Sequence, residues 1–138
     1  MKNTVIIILT LFIGFASCKK DEDNEPQVNK DDLLCKTWQL DKEFINGEEN
    51  QSMIKIDYKF NKDGTGSSVI YFGQAVTANF EWRWADNKES IEVMVINTKI
   101  KNGWNKANII VLSENYLVLE QLIGDDQYRM EYTERIKS

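Results

Sequence analysis

The chain offers few side chains that could carry out catalysis. None of its 138 residues is histidine, so the commonest general base and the usual partner of a catalytic serine or cysteine are missing. The adjacent carboxylates Asp125 and Asp126 come closest to an acid–base pair. They directly follow Gly124, however, and this combination is typical of a turn. We therefore do not expect the protein to be an enzyme.

Metal and phosphate sites are equally poorly represented. Residues 61–64 resemble the start of a calcium loop, but Phe72 stands at the twelfth position, where such a loop needs Glu. The pair Gly64 and Gly66 lacks the Lys-Ser/Thr sequence of a phosphate-binding loop. A net charge of −5 argues against a nucleic-acid partner. The sequence predicts no metal and no cofactor.

Large aromatic side chains carry the clearest functional signal. Phe80, Trp82 and Trp84 alternate with Glu81 and Arg83, which places the three rings on one face of a strand. Other strands contribute further rings to the predicted inward set, which are Tyr58, Phe60, Tyr128 and Tyr132. Such a set either lines an apolar cavity for a small hydrophobic ligand or simply fills the interior. Both interpretations stay open from the sequence.

From residue 31 onward the sequence has the two-residue period of β-strands. About eight segments alternate apolar and polar residues between turn sequences, and no long segment has a helical period. Short connections make neighbouring strands antiparallel, and eight such strands close most economically into an up-and-down barrel. The predicted fold class is all-β, a single antiparallel barrel, with a two-sheet sandwich as the alternative. A short helix over residues 31–35 is expected to plug one end.

Trp104 differs from the other indoles because it follows a turn, Asn102-Gly103. This position predicts an exposed ring at a barrel mouth, where it would anchor a ligand or a partner. Packing against a neighbouring strand is the alternative.

The N-terminus has the features of a secretion signal. Lys2 precedes a largely apolar stretch over residues 4–16, which is too short to span a bilayer. Phe15-Ala16-Ser17-Cys18 resembles the bacterial lipobox. The resemblance implies that residues 1–17 are removed and that Cys18 receives a diacylglycerol and, on its new amine, an acyl chain such as palmitate, which anchors the protein in a membrane. The alternative is an ordinary signal peptide, or a short buried helix, in which Cys18 is incidental.

Residues 18–30 are almost free of apolar side chains and predict a disordered tether. Residues 19–23, Lys-Lys-Asp-Glu-Asp, resemble the export signal that follows the lipidated cysteine of Bacteroidota lipoproteins. The resemblance implies display on the outer face of the outer membrane, whereas a plain solvating linker is the alternative. If Cys18 carries lipid, Cys35 has no disulfide partner and is predicted to be a small, half-buried hydrophobic residue.

Several short motifs of the body resemble one family. They are Leu33-Leu34, residues 36–40 (Lys-Thr-Trp-Gln-Leu), residues 60–65 (Phe-Asn-Lys-Asp-Gly-Thr), residues 81–84 (Glu-Trp-Arg-Trp) and residues 132–136 (Tyr-Thr-Glu-Arg-Ile). They are similar to the lipocalin-like domain of Bacteroidota lipoproteins. The resemblance implies a barrel over residues 31–138 and a small hydrophobic ligand. It also implies a structural cation–π contact in which Arg135 or Arg129 covers Trp38 at the barrel base.

The sequence therefore supports two hypotheses about function. One is a membrane-anchored binder of a small hydrophobic ligand, whose predicted contact residues are Tyr58, Phe80, Trp82, Trp84 and Trp104. The other is a non-enzymatic interaction module, such as an inhibitor or an assembly or adhesion subunit, that binds a protein partner at the outer membrane.

Overall fold

The computed structural model describes residues 28–51, 54–97, 100–101 and 103–136. Within these ranges the chain forms a short helix, α1 (Lys30–Leu34), a 3₁₀ turn (Asp86–Lys88) and a series of strands. The strands are β1 (Thr37–Ile45), β2 (Glu48–Asn50), β3 (Lys55–Phe60), β4 (Thr65–Phe72), β5 (Gln74–Ala85), β6 (Ser90–Asn97), β7 (Ile100–Lys101), β8 (Asn105–Leu112), β9 (Tyr116–Ile123) and β10 (Asp126–Glu134).

Eight of the strands form a closed antiparallel barrel, which confirms the predicted fold class. Their order around the barrel is β1, β3, β4, β5, β6, β8, β9 and β10, and β10 pairs with β1 to complete the circuit. The short strands β2 and β7 pair with β1 and β6 and stand outside this circuit. Because the barrel is closed, the first and last strands of the meander pair with each other. In a sandwich these strands would remain as unpaired edges.

Local turn chemistry explains where the strands begin and end. Between β3 and β4 the Asp63 carboxylate accepts hydrogen bonds from the N–H (2.9 Å) and the hydroxyl (2.6 Å) of Thr65. The next residue, Gly64, has a φ of +83°, which glycine adopts without strain. Asn46 and Gly47 also have positive φ, and they form the hairpin between β1 and β2. The predicted elements do not include this hairpin, although Asn-Gly is a strong signal for one.

Helix α1 covers one end of the barrel, as predicted for residues 31–35. Leu34 is fully buried, and its carbonyl accepts a hydrogen bond from the Trp38 indole at 3.0 Å. The Asp31 carboxylate accepts hydrogen bonds from the Trp84 indole (2.5 Å) and from Lys88 (2.7 Å). Hydrogen bonds from Lys88 and Trp84 lower the pKa of Asp31. We call this end of the barrel the closed end and the opposite end the open end.

A lysine, rather than an arginine, lies over Trp38. The Lys36 Nζ is 5.6 Å from the centre of the Trp38 ring. Arg135 lies over the ring of Tyr71, at 5.9 Å, and Arg129 forms ion pairs elsewhere on β9 and β10. The arrangement that the family resemblance implied for Arg135 or Arg129 is therefore wrong. The physical reason is that Arg135 pairs with the carboxylate of Asp57 on the outer face of the barrel.

A bulge in β1 changes which of its side chains face the interior. The pairing with β10 shifts between Leu40 and Lys42, so Glu43 stands opposite Met130 and Phe44 opposite Arg129. Because directly opposite residues share a face, Glu43 points to the inside with Met130, and Phe44 points outward. Simple alternation from Leu40 would give the reverse.

The predicted signal peptide, the predicted lipidation site Cys18 and the predicted tether up to residue 27 lie outside the described residues. In the part of the chain that is described, no helix is long and apolar enough to cross a membrane.

Candidate functional site

An apolar cavity of about 290 Å³ lies inside the barrel, toward the open end. It lies between β3, β5, β6, β8, β9 and β10, and none of the described residues that line it is charged. The lining is formed by Tyr58, Phe60, Phe80, Ile91, Val93, Val95, Asn105, Ala107, Leu119, Gln121, Ile123, Met130 and Tyr132. The interior is therefore only partly filled by its own side chains.

A chain of aromatic rings connects the closed end to this cavity. Edge-to-face contacts run from Trp84 to Trp82 (5.5 Å between ring centres), from Trp82 to Phe60 (5.7 Å) and from Phe60 to Phe80 (5.3 Å). Such pairs stabilise a core by about 0.5–1.5 kcal/mol each beyond their burial. The rings near α1 close the barrel, whereas Phe60 and Phe80 form part of the cavity wall.

The indoles of Trp82 and Trp84 are fixed by hydrogen bonds at the closed end. The Trp82 Nε1 donates to the carbonyls of Asn61 (3.0 Å) and Thr65 (3.1 Å), and the Trp84 Nε1 donates to Asp31. A buried indole N–H needs such a partner. Trp82 and Trp84 thus lie beneath the cavity and do not line it.

A glycine makes room for one wall of the cavity. Gly66 stands directly opposite Phe80 in the β4–β5 pair. A Cβ at this position would lie 2.1 Å from the Phe80 Cε2 and 2.7 Å from the Lys59 carbonyl oxygen. The ring of Phe80 therefore lies across the Gly66 backbone, and any larger residue at position 66 would displace it.

Tyrosine hydroxyls supply much of the polarity of the cavity. The Tyr132 hydroxyl donates to the Met130 sulfur at 3.2 Å, whereas the Tyr58 hydroxyl has no hydrogen-bond partner among the described residues. Burial raises the pKa of Tyr58, and it raises the pKa of Tyr132 well above the usual range. Both hydroxyls stay protonated at neutral pH. The Tyr132 proton is engaged with Met130, which leaves the Tyr58 hydroxyl as a donor for a ligand.

The predicted contact residues fall into three groups. Tyr58 and Phe80 line the cavity, and Trp82 and Trp84 lie below it. Trp104 is on the outer face, where the Arg83 guanidinium lies 4.2 Å from the centre of its ring. Arg83 faces outward because Trp82 and Trp84 on either side of it face inward, so the Trp104 ring packs against the outer face of a neighbouring strand.

Several lining residues were not predicted as contacts. Val93, Ala107, Leu119 and Met130 alternate on their strands with polar or outward-facing neighbours, and this periodicity predicts that they face inward. What it does not predict is which inward residues border empty space, since this depends on how the bulky rings pack. The large indoles in fact occupy the closed end, and aliphatic side chains together with four smaller rings surround the cavity, the rings being Tyr58, Phe60, Phe80 and Tyr132.

A second concave region, of about 430 Å³, lies outside the barrel across β1, β3 and β4. Its centre is Asp57, which is 3% exposed although it lies on the outer face. The Arg135 guanidinium pairs with the Asp57 carboxylate, and the Tyr71 hydroxyl donates to it at 3.1 Å. These contacts join the end of β10 to β3 and β4. They form an ion pair whose role is structural.

One hairpin extends beyond the adjacent strand and adds apolar surface near the open end. Strand β5 pairs with β6 only from Asn79 onward, so the β4–β5 hairpin projects beyond its neighbour. Phe72 and Val76 lie on the continuation of its inner face and are 77% and 58% exposed. An apolar molecule approaching the cavity would meet this surface.

No group of metal ligands occurs among the described residues. The single described thiol, Cys35, is half-buried, and burial raises its pKa, which makes it a weaker nucleophile. Comparisons of the chain with protein-family models, with curated proteins and with solved structures find no match.

Proposed function

We propose that the barrel binds one small hydrophobic molecule in the internal cavity. The observation that carries this proposal is the cavity itself, because about 290 Å³ of space remains among apolar side chains in a barrel small enough to be filled completely. An unfilled apolar cavity costs stability, since its lining loses dispersion contacts. A ligand that occupies it restores those contacts and removes its own apolar surface from water.

The test is saturable binding of N-phenyl-1-naphthylamine, an uncharged probe whose emission rises in apolar surroundings. Val95 lines the cavity near the open end, and its neighbour Ile96 faces outward. We expect Val95→Trp to weaken probe binding at least tenfold, because the new ring occupies the cavity. Ile96→Trp adds the same ring outside and should leave binding unchanged. Equal binding by both variants, or no saturable binding by the wild type, would overturn the proposal.

We further propose that the barrel is held at the outer membrane through lipid on Cys18 and is displayed on the cell surface. The support is the lipobox-like sequence before Cys18 and the acidic stretch over residues 19–23. Protease added to intact cells should remove the barrel from the wild type. Replacing Asp21, Glu22 and Asp23 with Ala should protect it, and unchanged cleavage would reduce this stretch to a spacer.

The second candidate function is a protein interaction module. It is favoured by the exposed Phe72 and Val76 on the projecting hairpin and by Leu122, which lies beside Trp104 and is 70% exposed. Exposed apolar side chains that share one face of a hairpin, as Phe72 and Val76 do, are typical of partner surfaces. If the wild type binds no hydrophobic probe, this candidate replaces the first. Phe72→Ser should then abolish partner capture without changing the melting temperature.

A further inference from the structure

A carboxylate faces the interior of the barrel beside the cavity. The bulge in β1 turns Glu43 inward, directly opposite Met130, which lines the cavity wall. Without this bulge the inward position would belong to a neighbour of Glu43, and the charge would lie outside. The local backbone therefore places a negative charge next to an otherwise uncharged cavity.

No cation neutralises this carboxylate in the described part of the chain. Its Oε2 accepts a hydrogen bond from the Asn50 side chain at 2.6 Å, and no ion pair with Lys or Arg is formed. The nearby Arg129 is on the outer face, where it pairs with Glu120 and Glu131. A ligand head group that reached Glu43 would therefore meet a carboxylate that is held by a neutral donor and by no cation.

The electrostatic effect of Glu43 reaches residues of the cavity wall. After burial, it contributes to the raised pKa of Tyr58, and after burial and the neighbouring Tyr58 it contributes to the raised pKa of Tyr132; both tyrosines line the cavity. The Tyr58 hydroxyl also has no hydrogen-bond partner among the described residues, so it can form a polar contact with a ligand. A hydroxyl can donate to or accept from a ligand, but a second anion beside Glu43 would be repelled.

We propose that the cavity selects its ligand by charge, taking hydrophobic molecules with an ammonium head group and rejecting those with a carboxylate. This inference rests on the proposed function and names Glu43 and Tyr58 as its specificity-determining residues. The apolar wall holds the hydrocarbon part, and the head group lies toward Glu43. An ammonium group would replace part of its lost hydration by a charge-assisted hydrogen bond with the carboxylate. A carboxylate head group finds no cation there.

The experiment compares three molecules that share one chain and differ in head group. Decylammonium, 1-decanol and decanoate each displace N-phenyl-1-naphthylamine from the wild type at pH 7.5, below their micellar concentrations. We expect decylammonium to bind at least tenfold more tightly than decanoate, with decanol between them. In Glu43→Gln this ratio should fall to about threefold or less. Glu49→Gln, on the exposed strand β2, removes the same charge from the same hairpin and should keep the wild-type ratio.

The outcomes separate this inference from the proposed function. If decanol binds saturably but decanoate binds as tightly as decylammonium, charge selection is wrong and the ligand cavity stands. If Glu43→Gln folds and leaves the ratio unchanged, Glu43 is not the source of selection and the inference fails. If none of the molecules displaces the probe and the probe itself does not bind, both proposals fail. The wild-type ratio alone tests charge selection even where the variant does not fold.

Discussion

Removing the Arg135 side chain tests how a buried carboxylate on the outer face is stabilised. Asp57 is nearly fully buried, and its partners are the Arg135 guanidinium and the Tyr71 hydroxyl. The Asp57 Oδ1 has no hydrogen-bond partner, so the ion pair through the other oxygen carries most of the compensation for burial. Arg135→Ala leaves the carboxylate with one neutral donor.

The expected loss lies between two limits. Breaking a fully buried ion pair by removing one partner costs about 3–5 kcal/mol, and losing one hydrogen bond to a charged group costs about 1.5–3 kcal/mol. The Arg135 side chain is 47% exposed, so water can replace part of what it supplies. We therefore expect a loss of about 2–3 kcal/mol in the free energy of unfolding, which lowers the melting temperature by roughly 10 °C for a domain of this size.

Urea unfolding followed by tryptophan emission measures this loss. The matched control is Lys62→Ala, which removes a surface ion pair with the exposed Asp32 and should cost less than about 1 kcal/mol. Adding Asp57→Asn to Arg135→Ala removes the buried charge and should restore part of the stability. The reasoning is refuted if Arg135→Ala is no more destabilising than Lys62→Ala, or if Asp57→Asn gives no recovery.

Four further predictions follow from the sequence and the barrel. Cys18→Ala should move the protein from the detergent phase to the aqueous phase of a Triton X-114 partition, and a variant that stays in the detergent would contradict lipidation. Reductant and chelator should each leave the melting temperature unchanged, and a fall of several degrees with either would show a disulfide or a metal. Gly66→Ala should lower the free energy of unfolding in urea by about 1–3 kcal/mol and weaken probe binding, because the added Cβ displaces Phe80. A variant as stable as the wild type would mean that the ring has room to move. The free energy of unfolding should fall above about pH 10, because tyrosine ionises there in the unfolded chain while burial raises the pKa of Tyr58 and Tyr132 in the folded one. Tyr132→Phe should make this fall less steep. An equally steep fall in that variant would contradict the assignment.

The course of the strands could be predicted from the sequence because it depends on local patterns. The alternation around Tyr58 and Trp82 and the Asp-Gly turn at residues 63–64 each act over a few residues, and the barrel follows from short antiparallel connections. The bulge in β1 could not be predicted, since one additional residue between Leu40 and Lys42 leaves no compositional mark. That single residue decides whether Glu43 or Phe44 faces the cavity.

The sequence left open whether the barrel holds a cavity, and it did not predict which inward residues would line one. Trp82 and Trp84 share the inward face with Phe80, but their indole N–H groups need acceptors, and the closed end supplies them through Asn61, Thr65 and Asp31. These contacts join residues far apart in the chain. The contact of Arg135 with Asp57 instead of Trp38 also joins residues that are far apart in the chain, so local sequence patterns do not predict it.

The most direct test of the ligand cavity uses two methionines as internal reporters. Met130 lines the cavity, whereas Met94 pairs with Glu81 on the outer face. In protein labelled with ¹³C at the methionine methyl groups, and assigned with Met130→Leu and Met94→Leu, added 1-decanol should shift the Met130 signal saturably and leave the Met94 signal in place. A Met130 signal that does not move, or a Met94 signal that moves equally, would contradict binding inside the barrel.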